Sequence, residues 1–223
     1  MTECTCTLPV DHWGEGCWHL RVKDTGSVVA YERCPTVMRA RLGDSSAARL
    51  GRAGVPPKYQ GYTRAALEDF EPWPTWAAEY VAHPEGNVYI HGPNGTGKTH
   101  LAVAILDELL GAGIRCAYAT AKLLPELAPD RVDDDRDEEA RLRSVPVLLV
   151  DDLFSETAYK ADRVRNLAEV RYRDDLATLY TSMLPIGDAL RVDSDLASRA
   201  LSGRKVERGG LDRRIFPRAV NGR

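Results

Sequence analysis

One octapeptide limits this chain more than any other feature: Gly92-Pro93-Asn94-Gly95-Thr96-Gly97-Lys98-Thr99. It satisfies every fixed position of the Gly-x-x-x-x-Gly-Lys-Thr pattern. The glycines allow a tight turn whose amide hydrogens converge on one point, which makes a nest for an anion. A helix beginning near Lys98 adds its positive end to the same point. Such a loop works only between a buried strand and a helix, and the flanking residues supply both. Asn87-Val88-Tyr89-Ile90-His91 reads as a strand. Thr99 to Leu110 has helical spacing, with Leu101, Ala104, Ile105, Leu109 and Leu110 on the apolar side and Gly111 and Gly113 as stops. The chemistry implied is a polyphosphate cradle. Lys98 reaches the β- and γ-phosphates, and the Thr99 hydroxyl ligates Mg²⁺.

The rest of the chain agrees with that context. It has 223 residues, 43% hydrophobic and 28% charged, room for one sizeable domain and a small appendage. Pro74 opens a helix through Tyr80, and Arg115–Thr120 reads as a strand followed by a short helix at Ala121–Leu127. Asp130–Glu139 is an acidic, solvated stretch, either a loop or a helix start. The apolar run Val145–Val150 fits a buried parallel strand. Helix at Ala161–Tyr172, strand at Ala177–Thr181 and a short helix at Leu196–Leu201 complete an alternation that means a parallel α/β sheet covered on both faces. Residues 1–54 read as an irregular N-terminal segment, with a possible short helix at Ser45–Leu50. The boundary falls at Gly54-Val55-Pro56-Pro57, since tandem prolines disfavour helix and central strand, and 55–223 form the main domain.

A second acidic element completes the site. Leu148-Leu149-Val150 runs into Asp151-Asp152. A buried strand ending in acid is the Walker B arrangement: Asp151 holds Mg²⁺ through water, and Asp152 orients or deprotonates the attacking water.

These residues resemble the DnaC/IstB-type AAA+ ATPases, which include bacterial and phage helicase loaders. The likeness covers about Gly54 to Arg214 and is most specific at His91 to Ala102, where Lys98-Thr99-His100-Leu101-Ala102 follows the glycines. Val55-Pro56-Pro57-Lys58-Tyr59 and Leu67-Glu68-Asp69-Phe70 look like the family's entry segment near the adenine. The resemblance implies a P-loop AAA+ core binding ATP and Mg²⁺, with Gly92 to His100 at the nucleotide. It makes Thr178–Ser182 the sensor 1 strand. Met183 stands where the family usually carries Asn, so Thr181 or Ser182 is left to take that role. Arg199, in Asp195-Leu196-Ala197-Ser198-Arg199, corresponds to the arginine finger, which acts on the neighbouring subunit's ATP. Arg214, in Leu211-Asp212-Arg213-Arg214, corresponds to sensor 2. The alternative for either arginine is a solvated surface charge. Asp152 replaces the Glu base of many AAA+ enzymes and is one methylene shorter, which implies slow hydrolysis.

Outside that core, Cys4, Cys6, Cys17 and Cys34 cluster early, and Cys116 stands alone in an apolar stretch. The four early thiols, with His12 and His19 as alternatives, are either a Zn²⁺ site or free thiols. Cys116 reads as a small core residue. The C-terminal part is locally basic, through Arg191, Arg199, Arg204, Lys205, Arg208, Arg213, Arg214, Arg218 and Arg223, although the net charge is −3. That patch suits a DNA backbone or a subunit interface. No apolar run reaches a membrane span and no signal peptide opens the chain, so the expected compartment is the cytoplasm. The expectation is a helicase-loader-like ATPase that self-associates, binds single-stranded DNA and acts on a replicative helicase. A transposition helper of the IstB type and a nucleotide-gated adaptor with little hydrolysis are the alternatives.

Overall fold

The computed structural model describes residues 12–13, 16–22, 28–33, 45–69, 71–122, 124, 133–155 and 162–210, with backbone only for the three N-terminal segments and 133–136. Strand β4 (Asn87–His91) is buried along its whole length and sits second from one edge of a five-stranded parallel sheet. The others are β5 (Cys116–Thr120), β6 (Val147–Leu153), β7 (Ala177–Ser182) and β8 (Arg204–Glu207), in the order β5-β6-β7-β4-β8. After β4 the chain crosses to the far edge at β5 and returns strand by strand. The crevice at the carboxyl end of β4 is therefore where an open α/β sheet binds its ligand.

Alternation along the strands builds two cores. Val88, Ile90, Tyr118, Val147, Leu149 and Leu179 face the helix that follows the glycine turn, α4 (Lys98–Gly111). Tyr89, Ala117, Leu148, Val150 and Tyr180 face α5 (Asp133–Ser144), α6 (Asp162–Arg173), α7 (Ile186–Val192) and α8 (Ser194–Ala200). α4 is buried almost all round, Asp107 included, rather than on one stripe. The cause is a cover of earlier helices: α1 (Ser46–Arg52), α2 (Arg64–Glu68) and α3 (Thr75–Ala82). Arg49 of α1 pairs with Asp107 at 3.0 Å, and Leu50 is fully buried. Ala53 O accepts from Tyr118 N at 2.8 Å. The helix that the sequence places before the proline boundary thus packs as part of the α/β body.

Several expectations change. The N-terminal segment is not wholly irregular: β1 (His12–Trp13), β2 (Gly16–Val22) and β3 (Val28–Arg33) form an antiparallel meander. The period-two run Trp18-His19-Leu20-Arg21-Val22 is the strand pattern behind it. Of the short helix expected at Ala121–Leu127, Ala121 and Lys122 form a turn and Leu124 is in a 3-10 conformation, while 123 and 125–127 lie outside the described residues. The acidic stretch does start a helix, α5. β8 was not foreseen, because Arg204-Lys205-Val206-Glu207 is charged and mostly exposed; it pairs with β4, and Val206 packs against the core. Cys116 is a core residue, and burial pushes its thiol up to about 12.

Candidate nucleotide-binding site

The turn after β4 keeps its shape through three left-handed glycines, Gly92, Gly95 and Gly97. Gly92 is required twice over: its φ is +143, and a Cβ there would lie 2.0 Å from Arg208 O. Gly97, at φ 85 and ψ 20, is the residue from which α4 starts. Thr96 Oγ1 and Lys98 Nζ both donate to Pro93 O, at 2.9 and 2.7 Å, so the two side chains brace the loop's own arch.

Below the loop lies Asp151, at the end of β6 and 1% exposed. Its carboxylate accepts three hydroxyl bonds. Thr99 Oγ1 and Thr181 Oγ1 donate to Oδ1 at 3.0 and 2.5 Å, and Tyr118 O–H donates to Oδ2 at 2.9 Å. A buried carboxylate needs such donors. Burial and the Asp151 charge raise the Tyr118 phenol well above its ordinary value, so it stays a donor. Burial lowers His91 at the end of β4, against the opposing charge of Glu207 and with a smaller push from the Lys98 cation.

The register of β6 against β7 shifts between Val150 and Leu153, so the two aspartates occupy a bulge. Asp152 takes φ 56 there and is exposed, in a region where aspartate is among the tolerated residues. Buried Phe154 follows at φ 63, a local strain of the kind that clusters at functional sites. Asp152 N donates to Thr181 Oγ1 at 3.0 Å, so one hydroxyl spaces both acids.

A cavity of about 410 Å³ opens beside the loop. Gly95, Gly97, Lys98 and Thr99 form one side, and Asp152, Phe154 and Met183 another. Tyr59, Tyr62 and His100 make a third wall. Tyr62 stacks on His100 with centroids 4.5 Å apart and planes at 16°, and Tyr59 lies 5.2 Å beyond. The entry segment thus delivers two aromatic rings to the mouth.

The residues of the octapeptide and Asp151 therefore come together as the motif requires. Thr99 and Asp151 offer a hydroxyl and a carboxylate 3.0 Å apart, the all-oxygen donor set that suits Mg²⁺. Thr181 is fully buried, and its hydroxyl is committed to Asp151 and to Asp152 N. Met183, 49% exposed, is the residue that meets the cavity from that strand's end. Arg199 is absent from the cavity lining. It ends α8, pairs with Glu169 of α6 and donates to Asp195 O at 2.7 Å. Arg214 lies outside the described residues, as do Cys4, Cys6 and Cys34. Cys17, His12 and His19 are described by backbone alone. Among the described residues no group of three or more His, Cys, Asp or Glu is placed to hold a metal.

Sequence reasoning missed two residues. Tyr118 is a lone phenol in Cys-Ala-Tyr-Ala-Thr, two places from the end of β5, and only that position hints at the site. Arg208 reads as one more charge of a basic tail. It is instead 11% exposed, pairs with Glu71 at 2.6 Å and donates to Thr96 O at 3.2 Å.

The model of the IstB-like ATP binding proteins matches residues 76–202. No curated protein matches. Among solved structures, a crystal structure of DnaI aligns at 25% identity and TM-score 0.53, over 62% of this chain and 80% of that one. A DnaC helicase loader aligns at 22% and TM-score 0.52, over 69% of this chain and all (100%) of that one. A replication initiator DnaA bound to AMPPCP and single-stranded DNA aligns at 21% and TM-score 0.55, over 74% of this chain and 57% of that longer one. The last two likenesses are of fold, a P-loop AAA+ sheet flanked by helices.

Proposed function

The chain belongs to the IstB-like ATP-binding family, and on that premise we propose that it is an ATP-hydrolysing helicase loader acting in DNA replication in the cytoplasm. Among the described residues no helix is long and apolar enough to cross a membrane. The observation that carries the reading is the Thr99–Asp151 pair beneath the glycine loop, with exposed Asp152 beside it. The solved DnaC helicase loader, matched along its whole length, supports the choice of partner.

In this reading the loop amides and Lys98 bind the phosphates of ATP. Thr99 and Asp151 would hold Mg²⁺, which would neutralise charge on the phosphates. Tyr118 and Thr181 keep the Asp151 carboxylate aimed. Asp152 orients the attacking water, and its fixed distance from Asp151 comes from the Thr181 hydroxyl. Arg199 acts on a neighbouring copy's ATP, with Arg214 as sensor 2. The chain therefore self-associates, holds single-stranded DNA and delivers or remodels a replicative helicase. Cys4, Cys6, Cys17 and Cys34 are proposed as a zinc site in a helicase-binding N-terminal segment.

Met183 supports a second reading. A thioether at the cavity offers no strong donor to a γ-phosphate, which suits a nucleotide-gated adaptor. A transposition helper of the IstB type would share the same core but contact a transposase and duplex DNA. The deciding experiment measures ATP binding and turnover, with and without single-stranded DNA, for wild type beside Lys98→Ala. DNA-stimulated turnover that is lost in the variant is the expected result. Binding lost in Lys98→Ala but no turnover in wild type would leave the adaptor. No ATP binding by the wild type would end all three readings.

A further inference from the structure

We infer that Arg208 is a positioning residue of the glycine loop, a brace that fixes the loop in its phosphate-receiving shape. The inference deepens the nucleotide-binding reading and rests on it. Arg208 follows β8, at the end of the strand paired with β4. It touches the loop at both ends. Its backbone N–H donates to His91 O at 2.7 Å, where the loop begins. Its guanidinium Nη2 donates to Thr96 O at 3.2 Å, where the loop ends. Its own carbonyl fills the space that a side chain at position 92 would need.

The contact with Thr96 O has a definite consequence. A trans peptide unit is planar, with its C=O and N–H on opposite sides. Thr96 O belongs to the unit whose N–H is that of Gly97. Drawing the oxygen toward Arg208 therefore turns the Gly97 N–H the other way, away from Arg208. Gly97, at φ 85, has no side chain and little preference of its own to hold that orientation. Arg208 supplies the missing restraint. Glu71 in turn holds the guanidinium at 2.6 Å, with side chains only 11% and 20% exposed. Both contacts are made by Nη2, whose two N–H bonds are fixed in the guanidinium plane, a set aim that a freely rotating ammonium lacks.

The brace makes a prediction distinct from that of a merely structural ion pair. A brace acts on any nucleotide carrying the shared phosphates, so ADP and ATP should weaken together, and KM should rise more than kcat falls. The experiment measures ADP affinity by calorimetry for wild type, Arg208→Ala, Arg208→Lys, Glu71→Gln and Lys98→Ala, below each variant's own melting temperature. We expect Arg208→Ala to weaken ADP by about tenfold or more, the scale of one charge-assisted hydrogen bond. Arg208→Lys should recover melting temperature more fully than affinity. If Arg208→Ala does not fold, the Lys and Gln variants decide the matter, each with weakened binding expected. Folded variants that bind ADP within about twofold of wild type while Lys98→Ala does not would overturn the brace and leave the nucleotide reading standing. A wild type that binds no ADP would overturn both.

Discussion

At Asp151 a single carboxylate is addressed by three hydroxyls from three elements, Thr99 of α4, Tyr118 of β5 and Thr181 of β7. The motif supplies Thr99, while Thr181 came with the family resemblance, as a sensor rather than as a donor to Asp151. Tyr118 belongs to no motif, and its bond to Asp151 spans 33 residues of sequence. Tyr118→Phe removes one hydrogen bond and keeps the ring that packs among the α4-facing core residues. The Mg²⁺ concentration needed for half-maximal nucleotide binding should rise by about tenfold, the scale for a group standing behind a metal ligand. Titration of nucleotide binding with Mg²⁺ checks this, and an unchanged midpoint would reduce Tyr118 to satisfying burial. The same contrast explains how much of the site was readable. Gly92 to Thr99 are contiguous, and their chemistry is fixed by local spacing. Asp151 follows from a buried strand ending in acid. Arg208 reaches Thr96 across 112 residues, and nothing local separates it from the other basic residues near the C-terminus.

Between elements, one side chain makes a tie of several bonds: Arg171 near the end of α6 is 1% exposed and, among the described residues, has no carboxylate partner. Its guanidinium donates to Leu142 O and Val145 O at 2.9 Å each, to Ala177 O at 2.7 Å and to Thr178 Oγ1 at 3.0 Å. It thus joins the end of α5, the approach to β6 and the start of β7. Burial pulls the guanidinium down to about 10, still charged at neutral pH. Arg171→Met fills similar space but strands four buried acceptors. Each unsatisfied group costs about 1–3 kcal/mol, so a loss of at least ~3 kcal/mol is expected. A urea midpoint lowered with an unchanged slope would match, and a change under about 1 kcal/mol would show that water reaches those carbonyls. The central strands were legible because fully buried parallel strands read as apolar runs. β8 was not, since its exposed charges carry no such signal. Nothing in the sequence sets Arg171 apart, because its acceptors are mostly backbone carbonyls, which no side-chain pattern records.

On the scale of the whole molecule, the site of one chain is proposed to be incomplete without another. Arg199 ends α8 and takes no part in its own chain's cavity. Its pairing with Glu169 is half-exposed, and exposed pairs contribute only about 0–1 kcal/mol, so a neighbour's phosphate can compete for it. A trans role predicts that two inactive variants repair each other. Arg199→Ala should bind ATP normally yet lose turnover by about a thousandfold, the scale of an arginine finger. Lys98→Ala should lose nucleotide but still present Arg199. Mixed, the second variant lends its arginine to the intact loop of the first, and turnover should reappear and rise with total protein concentration. Steady-state turnover of the two variants, alone and mixed, measures this directly. Wild-type turnover from Arg199→Ala alone would show Arg199 to be a surface charge. Loss in Arg199→Ala with no recovery on mixing would confine its effect to its own chain, through Glu169 and the α6–α8 contact. Only recovery on mixing assigns the arginine to the neighbour's ATP, because only there are loop and guanidinium supplied by different chains.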